Sequence, residues 1–193
     1  MENMVKNNNK KGFTIIEVVL VLAIAGLIFL MVFIALPALQ RSQRNTQREN
    51  DIARFMTAIN DYRTQNGNKT PFQKADGSVQ ATDYSLNQGS DFVKRYIMGN
   101  NASDTGKFTD PNGTFYSFKV KNVKSNSQAA GSTYNSRASG KILASVTNVD
   151  NVIYVIPNSR CAGSEGQVTI TNGAGDTSLL YVMEGGVVYC NSN

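Results

Sequence analysis

The sequence predicts an α+β protein in which a long N-terminal helix, membrane-spanning in its first half, packs on a C-terminal antiparallel sheet. Three observations carry this. Val18–Leu36 is an unbroken run of 19 apolar residues, counting Gly26. A helical period continues beyond it, with Ile52, Phe55, Met56, Ile59 and Tyr62 three and four residues apart. After Asp110, short strand-like segments alternate with turn signals.

The apolar run comes first. At 1.5 Å per residue it spans roughly 28 Å, close to the hydrocarbon thickness of a bilayer. A cleaved secretory signal would have a shorter core and a small-residue cleavage site. "LVLAIAGLIF" offers only a poor Ala-x-Ala-like site. Charge does not orient the span, because Lys6, Lys10 and Lys11 before it balance Arg41, Arg44 and Arg48 after it. The Ser/Thr/Asn/Gly-rich remainder, with its two cysteines, reads as an exported domain. The expected orientation is N-terminus in, C-terminal domain out.

The helix is expected to run from Phe13 to about Gln65. Gly67 ends it, with Asn66 and Asn68 as turn formers. Arg41, Arg44 and Arg48 share one side of the helix, either as a hydrophilic collar or as an ordinary solvated face. Asn66 to Asp110 shows no sustained period. Within it "SDFVKRYIMG", Ser90 to Gly99, reads as a short helix with Phe92, Tyr96 and Ile97 facing inward. "DPNG", Asp110 to Gly113, is a turn signal. Then Tyr116, Phe118 and Val120 alternate with Ser117, Lys119 and Lys121, the pattern of a half-buried strand. Lys124 to Gly140 is polar and of low complexity, and reads as a long exposed loop. Further strands are expected at Lys141–Val146, Val152–Ile156, Val168–Thr171, Ser178–Met183 and Val187–Cys190, with a hairpin at Glu184–Gly186.

Glu17 stands at the edge of the apolar run, where a carboxylate needs water, headgroups or a partner. Gly12 followed by Phe13 is a suitable peptidase junction, since glycine lets a protease approach the backbone closely. Cleavage there would leave an α-ammonium on Phe13, one helical turn from Glu17. These residues, "KGFTIIEVVLVLAIAG" from Lys11 to Gly26, resemble the class III signal sequence and N-terminal segment of type IV prepilins. The pattern is a short basic leader ending in Gly, then Phe, Thr, Glu fifth from Phe13, and an apolar run with Gly fourteenth.

The resemblance implies a pilin-like fold with a leader at 1–12, a transmembrane and filament-core helix at 13–39, an amphipathic continuation at 40–65 and a globular head at 66–193. It implies that prepilin peptidase cuts between Gly12 and Phe13, and that the new amino group of Phe13 is methylated with its charge kept. Glu17 would then form an assembly salt bridge with the N-terminus of a neighbouring subunit. It also implies loosening of the helix between Gly26 and Pro37. Members commonly carry the proline nearer that glycine; here it stands eleven residues on.

By the same resemblance the protein is expected as a structural subunit, the major pilin, of a type IV pilus. It would be a single-pass precursor in the inner (cytoplasmic) membrane and then a homo-oligomer in a helical filament at the cell surface. The assembly platform and ATPase are its expected partners, and adhesion, twitching motility and DNA uptake the activities such filaments support. The alternatives are a pseudopilin of a type II secretion or competence system, and a bitopic membrane binding protein that never polymerises.

Cys161 and Cys190 are the two cysteines of the chain, most simply one disulfide in an exported domain; free thiols or a metal site are the rival readings. In pilins a disulfide often bounds a C-terminal surface loop, and the positions here are similar. The absence of histidine removes Ser-His, Cys-His and His-metal arrangements, and there is no phosphate-binding glycine loop. No enzymatic activity, cofactor or metal is expected. Asp104, Asp110, Asp150 and Asp176 lack calcium-loop spacing. Since some pseudopilins bind calcium near the C-terminus, Asp176 and Glu184 are the acidic pair to inspect. Removing residues 1–12, with one Glu and three Lys, takes the net charge from +5 to +3. Lys119, Lys121, Lys124, Arg137 and Lys141 form either a weakly supported nucleic-acid patch or an edge strand kept soluble by lysines.

Overall fold

The computed structural model describes residues 12–72, 83–85, 91–97, 108–123, 130–138, 143, 151–163, 165–173 and 175–193. The fold is α+β and pilin-like, a long helix followed by an antiparallel-rich sheet. The chain divides between Ser42 and Gln43 into two compact units.

Helix α1, Ile15–Gln65, contributes to both. In the first unit every large apolar side chain from Phe13 to Leu39 is exposed. The helix is long and apolar enough there to cross a membrane. Gly26 and Pro37 both lie within α1 without ending it. A proline this near the end of an apolar span is tolerated when the freed carbonyl finds another partner. The other end closes as a helix should. Gly67 takes φ 63° and Asn68 φ 65°, and the Asn68 N–H donates to the Arg63 carbonyl at 2.9 Å, the long bond of a Schellman cap.

The second unit is built in three layers. Strands β1 (Asp83–Ser85), β2 (Ser117–Val120), β4 (Val152–Pro157), β7 (Thr177–Val182) and β8 (Val188–Ser192) form a five-stranded sheet in the order β1-β2-β4-β7-β8. Strands β3 (Thr133–Asn135), β5 (Ser159–Cys161) and β6 (Gln167–Ile170) form a second sheet in the order β3-β6-β5. Ile52, Phe55, Met56 and Ile59 of α1 meet Phe118, Ile153, Val155, Leu179 and Tyr181 on one face of the larger sheet. Tyr154, Ile156, Leu180 and Val182 point to the opposite face and pack against Tyr134, Val168 and Ile170 of the smaller sheet. Burial on both faces explains why β4 and β7 read as continuous apolar runs.

Four expectations need correction. The larger sheet is not wholly antiparallel, because β2 and β4 run parallel, Phe118 opposite Ile153. A parallel pair needs a long crossover, and the chain between them makes it through β3 in the other sheet. For the same reason Lys124–Gly140 is not simply an exposed loop, since Tyr134 and Ser136 within it are buried. Lys119 does not lie on an edge strand, because β1 pairs with β2 on its outer side. The expected helix at 90–99 is, within the described residues, a π-helical turn, Val93–Ile97, with Phe92 and Val93 buried. In the strand expected at 141–146 Leu143 alone is described, and it is buried.

Asn158 bends the chain from one sheet to the other. It takes φ 55° between the end of β4 and the start of β5, a left-handed conformation that Asn adopts more readily than most residues.

Candidate functional site

Gly12 and Phe13 precede α1, and Phe13 is 91% exposed. Thr14 then starts the helix. Its backbone N–H and its hydroxyl both donate to Glu17 Oε2, at 2.7 and 2.8 Å, and the Glu17 N–H points back at Thr14 Oγ1 at 3.4 Å. This reciprocal arrangement is a capping box, Thr-x-x-Glu. It satisfies donors that the first helical turn leaves unpaired and sets a carboxylate at the positive end of the helix. Glu17 therefore has an intrachain partner, Thr14. The Thr-x-x-Glu spacing of Thr14 and Glu17 is the sequence signal for it, where the expected partner was the Phe13 ammonium.

Among the described residues, the side chains of the next turns of α1 make no polar contact until the second unit begins. There the three arginines of the expected collar part company. Arg41 is exposed. Arg44 grips Glu184 with two bonds of 2.7 Å. Arg48 is only 1% exposed and donates to Asp110 at 2.6 and 2.9 Å and to Glu184 at 2.8 Å. Tyr181 adds its hydroxyl to Asp110 at 2.8 Å, and Asn45 bonds the backbone of Glu184 in both directions, at 3.1 and 3.3 Å. One turn along, Tyr116 donates to Asp51 at 3.1 Å.

This cluster joins α1 to two turns of the head. The first begins at Asp110, where the Gly113 N–H reaches the Asp110 carbonyl at 2.8 Å and Gly113 takes φ 87°. The second is the Glu184–Gly186 hairpin, with Gly185 at φ 92° and Gly186 at φ 82°. A solvated helix face is thus the wrong description of Arg44 and Arg48. A lone period-3.6 scan sees three charges; their acceptors lie 62 and more residues away in sequence.

The electrostatics follow from these contacts. The Arg44 guanidinium, and Arg48 beside it, hold the Glu184 carboxyl down to about 2 against the opposing effect of burial. Burial alone would raise Asp110, but Arg48, the Asn112 N–H and Tyr181 outweigh it and leave that carboxyl lowered. Asp51 goes the other way, raised chiefly by burial with Tyr116 only partly offsetting it. A depressed folded pKa stabilises above the unfolded value and loses that contribution as pH falls through the folded one. Glu184 and Asp110 should therefore make the head less stable from about pH 4.5 down to about 2. Protonation of Asp51 acts in the opposite sense. Thermal melts of the full chain in detergent are expected to fall across that window, and Glu184→Gln to flatten the slope.

Glu184 is held by two arginines and Asp176 by Arg160 at 3.0 Å. Among the described residues no cluster of three or more metal-ligating side chains occurs. Asp104 and Asp150, like Lys124 and Lys141 of the basic patch, lie outside the described residues. Arg137 contacts the Gly186 carbonyl and lies 3.9 Å from Glu165, so it does not extend a free basic surface with Lys119.

Cys161 and Cys190 form a disulfide with a Cα–Cα distance of 5.9 Å. It ties β5, an edge of the smaller sheet, to β8, an edge of the larger. Closing a loop of this size stabilises by about 3 to 4 kcal/mol in the chain-entropy model. Replacing both cysteines with alanine is expected to lower the melting temperature by about 10 °C relative to the oxidised wild-type chain, with the reduced wild-type chain melting near the variant.

Residues 7–33 match the family model of the prokaryotic N-terminal methylation motif. No curated protein and no solved structure matches the chain.

Proposed function

We propose that this chain, whose N-terminus carries the class III signal sequence that is the hallmark of type IV pilins, is the major structural subunit of a type IV pilus. The observation that carries the reading is the coincidence of that motif with an apolar helix whose side chains are exposed from Phe13 to Leu39. Such a surface needs lipid or other helices around it. Prepilin peptidase would hydrolyse the Gly12–Phe13 bond, and methylation of Phe13 would keep the ammonium charge. The helix would then leave the membrane for the filament core, with Glu17 set against the N-terminus of a neighbouring subunit. Gly26 and Pro37 are the positions at which α1 would loosen as it does so.

The segments 1–12, 13–39, 40–65 and 66–193 take the roles of leader, core helix, amphipathic continuation and head. The role is structural rather than enzymatic, with the assembly platform and its ATPase as partners. Shearing filaments from cells and determining the mass and N-terminal residue of this protein tests the reading. Long filaments whose subunit begins with methylated Phe13 support it. Recovery in short fibres assigns a pseudopilin instead, and recovery only from membranes with residues 1–12 attached removes the pilus.

A further inference from the structure

We propose that the base of the head carries a contact surface for the bilayer, centred on Phe115 and Val187, which holds the precursor's head on the membrane before assembly. The inference rests on the reading of residues 13–39 as a bilayer span. Among the described residues of the second unit, Phe115 and Val187 are the large apolar side chains that stand exposed, at 39% and 54%. They belong to different turns, yet one guanidinium draws those turns together. Arg48 bonds Asp110 at 2.6 Å and Glu184 at 2.8 Å. Phe115 closes the first turn through its bridge to Thr109, and Val187 closes the second by accepting the Met183 N–H at 2.8 Å.

The position of this surface along the chain selects its occupant. Arg44, which grips the same Glu184, lies five residues beyond Leu39, the last apolar residue of the span. Five residues reach at most about 18 Å even when fully extended, so this end of the head stays near the membrane surface whatever angle the two units adopt. Arg44 is 36% exposed beside the hairpin, and Arg137 binds the Gly186 carbonyl next to Val187. Aromatic and apolar side chains flanked by arginine stems suit the headgroup region, where the stem lies along apolar surface and the guanidinium meets water or phosphate. Arg44, Arg48 and Arg137 are matched by Asp110, Glu184 and Glu165. The contact is therefore apolar in character and persists at high salt.

The chain contains no tryptophan, so a single introduced indole reports its own surroundings. Full-length Phe115→Trp and Val187→Trp are to be reconstituted, at high lipid excess, in phosphatidylcholine/phosphatidylglycerol vesicles whose acyl chains are brominated near the headgroup. Lys69→Trp, at the far end of α1, and Leu30→Trp, in the span with deep-brominated lipid, serve as references. Quenching of the Phe115→Trp and Val187→Trp indoles about twofold or more above Lys69→Trp, unchanged by salt and by further dilution in lipid, is the expected result at an interfacial position. Quenching equal to Lys69→Trp, with Leu30→Trp still quenched, overturns the proposal alone. Quenching that is absent at low lipid and appears only on further dilution assigns the surface to a second copy of the chain and also overturns it. Failure of Leu30→Trp to be quenched removes the span on which it rests.

Discussion

Glu17→Gln is expected to abolish surface filaments while the protein remains in the membrane. The substitution keeps an oxygen able to accept the Thr14 bonds of 2.7 and 2.8 Å but removes the charge, so it separates the observed cap from the proposed assembly role. If Glu17 served only to cap α1, Gln would support assembly nearly as well as Glu. If its carboxylate must meet the ammonium of a neighbouring subunit, a filament of Glu17→Gln chains buries that ammonium unpaired. The yield of sheared filaments should then fall by about a hundredfold or more. Thr14→Ala makes the complementary test, weakening the cap and leaving the charge. Its filaments are expected to form, with a frayed first turn detectable as faster amide exchange at residues 15–17. Filament loss in Thr14→Ala with full assembly of Glu17→Gln would reverse the assignment.

Arg48→Met is expected to destabilise the head by about 3 to 5 kcal/mol, because it leaves Asp110 buried with its counter-charge removed. Asp110 lies fully inside and, among the described residues, keeps Tyr181 and the Asn112 N–H as donors. For a unit of this size the melting temperature should drop by about 10 °C or more. Combining Arg48→Met with Asp110→Asn removes both charges and keeps the turn acceptor for Asn112. Most of the loss should return, as buried ion pairs are far costlier to break than to replace. If the double variant melts as low as Arg48→Met, the guanidinium acts through its geometry on the two turns rather than through charge balance. Circular dichroism melts of the three proteins in the same detergent decide the matter.

Both results bear on what could be read in advance. Residues 11–26 were legible as a family motif because its parts lie within one or two turns, while the Thr14 cap on Glu17 inside it was not read. The apolar run and the stripe from Ile52 to Tyr62 were legible because helical contacts recur every three to four residues. The hairpin at Glu184–Gly186 was legible because positive φ demands glycine there. β3 was not, since "TYN" within a polar stretch carries one apolar residue, and its burial depends on pairing with Val168.

Arg44 and Arg48 show the same limit from the side of charge. Their spacing established that they share a helix face, and nothing in residues 40–51 says what that face meets. Asp110 and Glu184 looked like turn acids for equally local reasons.

By itself, then, the sequence determined the class of the protein, the extent of its long helix and the motif at its N-terminus, because each follows from neighbours along the chain. The tertiary structure alone decided that Arg48 is buried against two carboxylates and Arg44 bound to one of them, that β2 and β4 run parallel, and that one disulfide joins the edges of two sheets. Those outcomes depend on which distant segments reach one another. Burial converts such encounters into large energies that no local pattern records.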